Sequence, residues 1–304
     1  MHKTVLLNEV IEGLLAPQKA GNENLVVVDG TFGGGGHSRE ICRRFPGIKI
    51  IAIDQDQDAL DGGRDKFKDL NCEISFHNVN FRNMNEVLKK DGIEKVDGII
   101  LDLGLSSDQL ENSGRGFSFM KDEPLLMNIK KSMKENPFPE ELTAEEVVND
   151  WSQDSLEKII YGYGEEKFSG RIARGIVEER KKRKIKTTSD LVAVISKMVP
   201  AVYRRGRIHF ATRTFQAIRI AVNDELGALS EGLAKGWNIL SSGGRIAVIS
   251  FHSLEDRIVK KFYKTKEQEG LGRLINKKPI VAGGAELKEN PRARSAKLRV
   301  LEKI

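Results

Sequence analysis

Cysteine is scarce in this sequence: its 304 residues hold two, Cys42 and Cys72, in no C-x-x-C pattern. That spacing argues against a zinc site and against a disulfide, and it favours a reducing compartment. The five histidines form no H-x-x-x-H pair, so no metal centre is expected. Long apolar runs are missing too, as is a charged-then-apolar leader. The expectation is therefore a protein with neither membrane span nor secretion signal, placed in the cytoplasm. Internal repeats and low-complexity tracts are also lacking.

What remains is an ordinary globular composition, 39% hydrophobic, enough for one large domain or two modest ones. The 50 Lys and Arg outnumber the 44 acids by a margin too small to identify a partner. Their distribution says more. Basic residues cluster in Arg180 to Lys186, at Arg204, Arg205 and Arg207, and from Lys277 to Arg299. Each cluster alone reads as a solvated face, whereas three together fit a phosphate backbone, because each neutralised phosphate releases counterion.

The most informative stretch is Val26 to His37, VVVDGTFGGGGH, an apolar strand running into an acid, a glycine-dense turn and a helix. Glycines there let bare backbone approach a ligand at a strand's carboxyl end. The dinucleotide spacing G-x-G-x-x-G fails in both registers, at Ser38 and at Arg39, and no lysine follows as a triphosphate loop requires. What remains is Asp29 followed by Gly33 and Gly35, the layout of the first motif of S-adenosylmethionine-dependent methyltransferases, with Thr31 where many have another glycine. A purely structural glycine turn is the alternative. Ile48 to Ile53 then forms a second apolar run ending in Asp54, where a carboxylate suits a ribose diol.

Strands near 25–29, 48–53, 73–78 and 96–103 alternate with helices near 37–45, 59–67 and 84–90, which predicts right-handed crossovers and a parallel sheet. Beyond about residue 110 the pattern turns helical. A capping box opens one helix at Thr143, and 167–182 and 189–198 read as two more. A helix through 213–240, a strand at 245–251, a helix capped from Ser253 and a final strand at 297–304 complete the expectation. The fold class is thus α/β, a Rossmann-like methyltransferase sheet with an inserted helical domain. Residues 1–110 and 208–304 form the sheet domain and 111–207 the insertion.

Several polar segments exceed what packing needs. Asp102 to Gln109 follows the fourth strand, beside the glycine turn in a doubly wound sheet. Asp102 and Gln109 could bind the cofactor or an exocyclic amine, although a turn cap is the alternative for Asp102. No D-P-P-Y is present, so an aromatic clamp on a target base must come from elsewhere: Phe117 or Phe119 in RGFSF, or Phe251. His252 faces the same crevice and could orient substrate, or be a buried structural histidine. Phe81 either packs on an adenine ring or joins the core.

These residues lie in ten ordered stretches that resemble the RsmH (MraW) family, the 16S ribosomal RNA cytosine-N4 methyltransferases. They are HKTVLLNEV, DGTFGGGGHS, AIDQD, DGIILDLGLSSDQL, RGFSF, TAEEVVN, YGEEKFSGRIARGIV, ATRTFQAIRIAVNDEL, GGRIAVISFHSLEDRIVKKF and NPRARSAKLRV. The resemblance implies S-adenosyl-L-methionine as cofactor, with contacts at Gly35, Gly36, His37, Asp54, Phe81, Asp102 and Gln109, to which the reading of the glycine turn adds Asp29 and Gly33. It also implies the small ribosomal subunit as substrate and a homodimer, while the residues themselves suggest Asp102 as catalytic, Arg115, Phe117, Phe119, Arg213 and His252 as substrate contacts, and no metal. Two departures bear on the substrate side. The usual PLDMRMD is here Pro124-Leu-Leu-Met-Asn-Ile-Lys130, and the usual HPATR is His209-Phe-Ala-Thr-Arg213. Neither cysteine has the Pro-Cys setting of carbon-5 cytosine enzymes, so direct methyl transfer without a covalent intermediate is expected.

Overall fold

The computed structural model describes residues 4–15, 25–130 and 142–304. It divides into two compact units, one of Met1–Gly104 with Leu226–Ile304, the other of Leu105–Glu225. The chain opens with an unanticipated helix, α1 (Leu7–Leu14), then alternates: β1 (Val26–Asp29), α2 (Gly36–Arg44), β2 (Lys49–Asp54), α3 (Gln57–Arg64), β3 (Glu73–Asn78), α4 (Met84–Lys90) and β4 (Val96–Asp102). Near-continuous apolar runs such as KIIAI and GIIL are what strands covered on both faces require.

The second unit is helical: α5 (Ser107–Glu111), α6 (Ala144–Asp150), α7 (Gln153–Gly162), α8 (Ser169–Arg180), α9 (Thr188–Met198), α10 (Ala201–Arg204) and α11 (Thr212–Asn223). The capping box at Thr143 is present, its hydroxyl and the Glu146 carboxylate satisfying each other's backbone amides. Leu156, Ile160, Ile172, Ile176, Leu191 and Ile195 fill this unit's own core. Ala211, Phe215 and Ile218 belong to that core as well, so α11 packs with the helical unit although a boundary at 207 leaves it outside.

A single helix through 213–240 does not form. Asp224 takes a left-handed conformation (φ 46°) and separates α11 from α12 (Glu225–Ile239). The rest is β5 (Leu240–Ser250), α13 (Ser253–Gln268), β6 (Gly272–Leu274), α14 (Gly284–Glu289) and β7 (Lys297–Lys303). Gly243 and Gly244 lie inside β5, where the pairing with β4 jumps from Val96–Leu240 to Gly98–Arg245. Residues 241–244 stand against the single Asp97, three residues of excess in a bulge that Gly243 permits at φ +73°. The cap of α13 is His252, one residue before the expected Ser253, paired in a box with Glu255.

The seven strands order as β3-β2-β1-β4-β5-β7-β6. β1 to β5 pair in parallel, and β7 enters antiparallel between β5 and β6. One face is covered by residues of α1 and α2, including Val10, Leu14 and Ile41. The other is covered by Met84, Leu229, Leu233, Trp237, Val259 and Tyr263. Asp29, Asp54 and Asp102 are the last residues of β1, β2 and β4, so adjacent parallel strands deliver three carboxyls to one sheet edge.

Cys42 and Cys72 form a disulfide, contrary to the expectation from their spacing. Cys42 lies on α2 and Cys72 immediately before β3, and the fold brings their Cα atoms to 5.5 Å. Separation along the chain carries no information about that distance.

Candidate active site

The turn after β1 is tied to its neighbours by backbone and carboxyl groups. Gly30 N–H donates to Ile100 O at 2.9 Å, and Phe32 N–H to Ile53 O at 3.0 Å. Gly33 N–H donates to Asp54 Oδ2 at 2.7 Å, and Asp102 N–H to Thr31 Oγ1 at 2.6 Å. The tips of β1, β2 and β4 are thus one hydrogen-bonded piece. Thr31, noticed in the sequence only as a departure from glycine, supplies the hydroxyl that joins the turn to Asp102.

Two glycines are required by close approach. Gly35 has φ +73°, and a Cβ there would lie 2.6 Å from the Phe32 ring. At Gly36 a Cβ would come within 1.9 Å of Thr4 Oγ1. Gly34 differs: a Cβ there would meet nothing within 4 Å. Bare backbone at that position is not explained by packing within the protein.

The acids divide their work. Asp29 is buried, and its carboxylate accepts from Ser38 Oγ at 2.5 Å and from Thr31 N–H at 3.4 Å, which makes it an organiser of the turn. Asp54 Oδ1 accepts from Asp56 N–H at 2.9 Å, so each oxygen holds an amide and keeps lone-pair capacity for a diol. Asp102 Oδ1 is buried with no partner among the described residues. Burial pushes Asp29 and Asp54 up to about 6. Asp102 is pushed up to about 7, by burial first and then by the charges of Asp29 and Glu255, against the Gly104 amide. Glu255, read in the sequence as part of a cap, thus also loads this edge with negative charge.

His37 is buried, with Nε2 at 3.0 Å from Val5 O and Nδ1 at 3.9 Å from Asp102 Oδ2. Phe81 is half-buried on the helix-covered face, its ring occupying the space where a side chain on Gly232 of α12 would fall. Phe251 packs against Gly104 and the core, in the way a structural aromatic does. His252 caps α13, its Nδ1 accepting from Glu255 N–H at 3.4 Å.

Gln109, Arg115, Phe117, Phe119 and Arg213 belong to the helical unit. Gln109 on α5 accepts from Ser106 N–H through Oε1 at 3.0 Å. Arg115 is buried, donating to the carbonyls of Asn128 and Ile129 and covering the Phe117 ring at 5.4 Å, and Phe117 is buried too. Both hold the loop over 113–129 together. Arg213 donates to Glu165 O at 3.0 Å. Phe119 is half-buried and stacks on His209, a residue that sequence reasoning did not single out.

The first unit fits a cationic adenosyl sulfonium. An orphaned carboxylate oxygen, an unfilled space over Gly34 and a diol acceptor at Asp54 share one edge, and its three raised acids would ionise more readily beside a positive ligand. When bound there, S-adenosylmethionine supplies a methyl group on positively charged sulfur, and Asp54 and Asp102 would be the residues to hold it.

The family model described as MraW methylase family matches residues 1–304. Among curated proteins, the chain is 46% identical to the ribosomal RNA small subunit methyltransferase H of Acetivibrio thermocellus, covering 100% of this chain and 99% of the relative. It is 43% identical to the protein of that name from Brevibacillus brevis, over 100% and 98%, and 45% identical to that of Persephonella marina, over 91% and 92%. With its parallel sheet, glycine turn and strand-tip acids, this chain belongs to the MraW methylase family and is an S-adenosylmethionine-dependent methyltransferase.

Proposed function

We propose that this protein methylates the exocyclic N4 of a specific cytidine in the ribosomal RNA of the small subunit, acting in the cytoplasm. Full-length likeness to relatives named for that RNA supports the substrate class. The observation that carries the chemistry is Asp102 Oδ1, a buried acceptor without a partner at the tip of β4.

The lone pair of a cytosine N4 is delocalised into the ring and is a poor nucleophile. An ionised Asp102 accepting one N4–H would draw electron density back onto nitrogen and orient it for in-line attack on the methyl carbon. S-adenosylmethionine, when bound, would supply the methyl to N4, with sulfur keeping the electron pair of the C–S bond. The proton then leaves N4 to Asp102 or to water. His37 Nε2 donates to Val5 O, which leaves Nδ1 of the neutral ring an acceptor 3.9 Å from Asp102 Oδ2, beyond hydrogen-bond reach, so His37 packs beside that carboxylate without bonding it. The target base must leave any stack, and the helical unit, with Arg204, Arg205 and Arg207 exposed, is the part suited to splayed RNA.

The test incubates the protein with labelled S-adenosylmethionine and small ribosomal subunits lacking the modification, followed by nucleoside mass spectrometry. N4-methylcytidine is expected with the wild type and lost with Asp102→Ala. Binding of the cofactor without methylation of any cytidine would sink the substrate assignment and leave the fold intact.

A further inference from the structure

In the helical unit, the loop between α10 and α11 brings three rings together. Phe119 and His209 stack nearly parallel, with centroids 4.4 Å apart and 11° between planes. Phe210 lies against His209 at 4.2 Å and 32°, and Phe215 meets Phe119 edge-on at 5.4 Å. Phe215 is buried and belongs to the core, so the assembly is anchored from below. His209 itself is exposed, and Phe119 and Phe210 are half-exposed.

The chain neighbours of these rings are open and apolar: Met120, next to Phe119, is 80% exposed and Ile208, next to His209, 56%. Arg205 and Arg207 stand within four residues of the stacked rings, are exposed, and have no ion-pair partner among the described residues. His209 Nδ1 accepts from Ala211 N–H at 3.3 Å, and partial desolvation by its neighbours lowers the pKa of the ring. With Nδ1 accepting, the neutral ring carries its hydrogen on Nε2 and presents a π face and an Nε2–H donor.

Rings flanked by unpaired guanidinium groups are what single-stranded RNA selects, because every base offers a π face and every nucleotide a phosphate. A protein partner would leave two unpaired arginines beside an aromatic surface needing acidic side chains, whereas a phosphodiester supplies that charge at each step. We infer that Phe119, His209 and Phe210, with Arg205 and Arg207, form a platform on which the helical unit holds an unpaired base of its RNA substrate. This rests on the RNA reading proposed above and adds to it a residue-level binding site. His209 and Phe210 are positioning residues here, since the role assigned to them is to grip the strand. Phe210 stands where the resembled family has proline, so that departure adds a ring to the platform.

The experiment uses the full chain and a single-stranded RNA oligonucleotide carrying 2-aminopurine, whose fluorescence is quenched on stacking. Phe210→Ala, His209→Ala and Phe119→Leu are each expected to weaken oligonucleotide binding about 5- to 150-fold and to relieve the quench. Arg205→Ala and Arg207→Ala should weaken binding and each lower the salt dependence by about one counterion, leaving the quench in the bound state intact. With small subunits as substrate, the stacking variants should raise KM and spare kcat, while S-adenosylmethionine affinity stays at the wild-type value. That affinity reports the sheet unit, and helical content by circular dichroism reports the helical one. Phe119→Leu keeps apolar volume, so a folding defect confined to the alanine variants leaves the idea testable. Wild-type quench and KM in folded Phe119→Leu and Phe210→Ala would overturn the platform while leaving the proposed function standing. A wild-type protein that neither binds the oligonucleotide nor methylates subunits would overturn both.

Discussion

Gly33 donates its amide to Asp54 Oδ2 at 2.7 Å, which makes the ribose acceptor at the tip of β2 and the glycine turn after β1 a single unit. Asp54 therefore shapes the turn as well as offering lone pairs to a ligand. Asp54→Ala leaves the amides of Gly33 and Asp56 without their acceptor, at a cost of about 1–3 kcal/mol in stability. Asp54→Asn retains one acceptor oxygen and should stabilise better than alanine does. Both should lower S-adenosylmethionine affinity at least tenfold. Calorimetric titration beside thermal unfolding separates the effects, and unchanged affinity in Asp54→Asn would remove the ribose role.

Gly34 and Gly35 form a natural control pair. Gly35→Ala forces a Cβ to 2.6 Å from the Phe32 ring at a φ of +73°, so unfolding temperature and cofactor affinity should fall together. Gly34→Ala meets open space. Its unfolding temperature should stay within about a degree or two of wild type, as expected for a substitution that touches nothing. A loss of affinity in Gly34→Ala alone would show that a ligand approaches that backbone, and full affinity would show that it does not.

The three raised carboxyls have a signed consequence for stability. Their unfolded values lie near 3.8, and in the folded protein they rise to about 6 for Asp29 and Asp54 and about 7 for Asp102. Between these limits the native state binds more protons than the unfolded state, so stability contributed by these groups is present at low pH and is lost as pH rises to about 7. Thermal unfolding of the ligand-free protein should therefore show Asp102→Asn gaining on wild type as pH goes from 5 to 8. An Asp102→Asn difference that is flat in pH would contradict the assignment.

Catalysis should run the other way. If Asp102 must be ionised to accept the N4–H, kcat/KM rises with pH through a value near 7 in the free enzyme. In the complex, the cationic ligand favours the carboxylate, so the kcat limb should lie lower. Single-turnover methylation across pH 5 to 9 measures both. A profile independent of pH would remove Asp102 as the acceptor.

The Cys42–Cys72 bridge closes a loop with a sequence separation of 30 that contains β2 and Asp54. Loop closure of that length should contribute about 3–4 kcal/mol by restricting the unfolded chain. Reductant, or Cys42→Ser, should lower the unfolding temperature by an equal amount and change cofactor affinity little. Thiol titration of the unfolded, unreduced protein tests the premise, because two free thiols would mean that no bridge forms in the protein as expressed.

Much of the architecture was legible because its signals are local. Apolar runs of strand length, ended by Asp29, Asp54 and Asp102 and followed by helices, dictate a parallel α/β sheet with acids at one edge, since right-handed crossovers leave few alternatives. Capping at Thr143 was likewise readable, because the box is completed within four residues. What could not be read depends on neighbours distant in sequence. Arg115 and Phe117 invite a substrate role in the sequence, and only the structure shows Arg115 bonded to the carbonyls of Asn128 and Ile129 and Phe117 buried. The placement of α11 was decided by where its apolar face found a core, and the break at Asp224 by a backbone turn that no periodicity announces. Sequence by itself determined the strand-tip chemistry, because residue type and strand register are inseparable. Only tertiary structure decided which polar groups are already satisfied and which, like Asp102 Oδ1 or the His209 ring, remain to be met, because hydrogen bonding and burial are properties of packed neighbours.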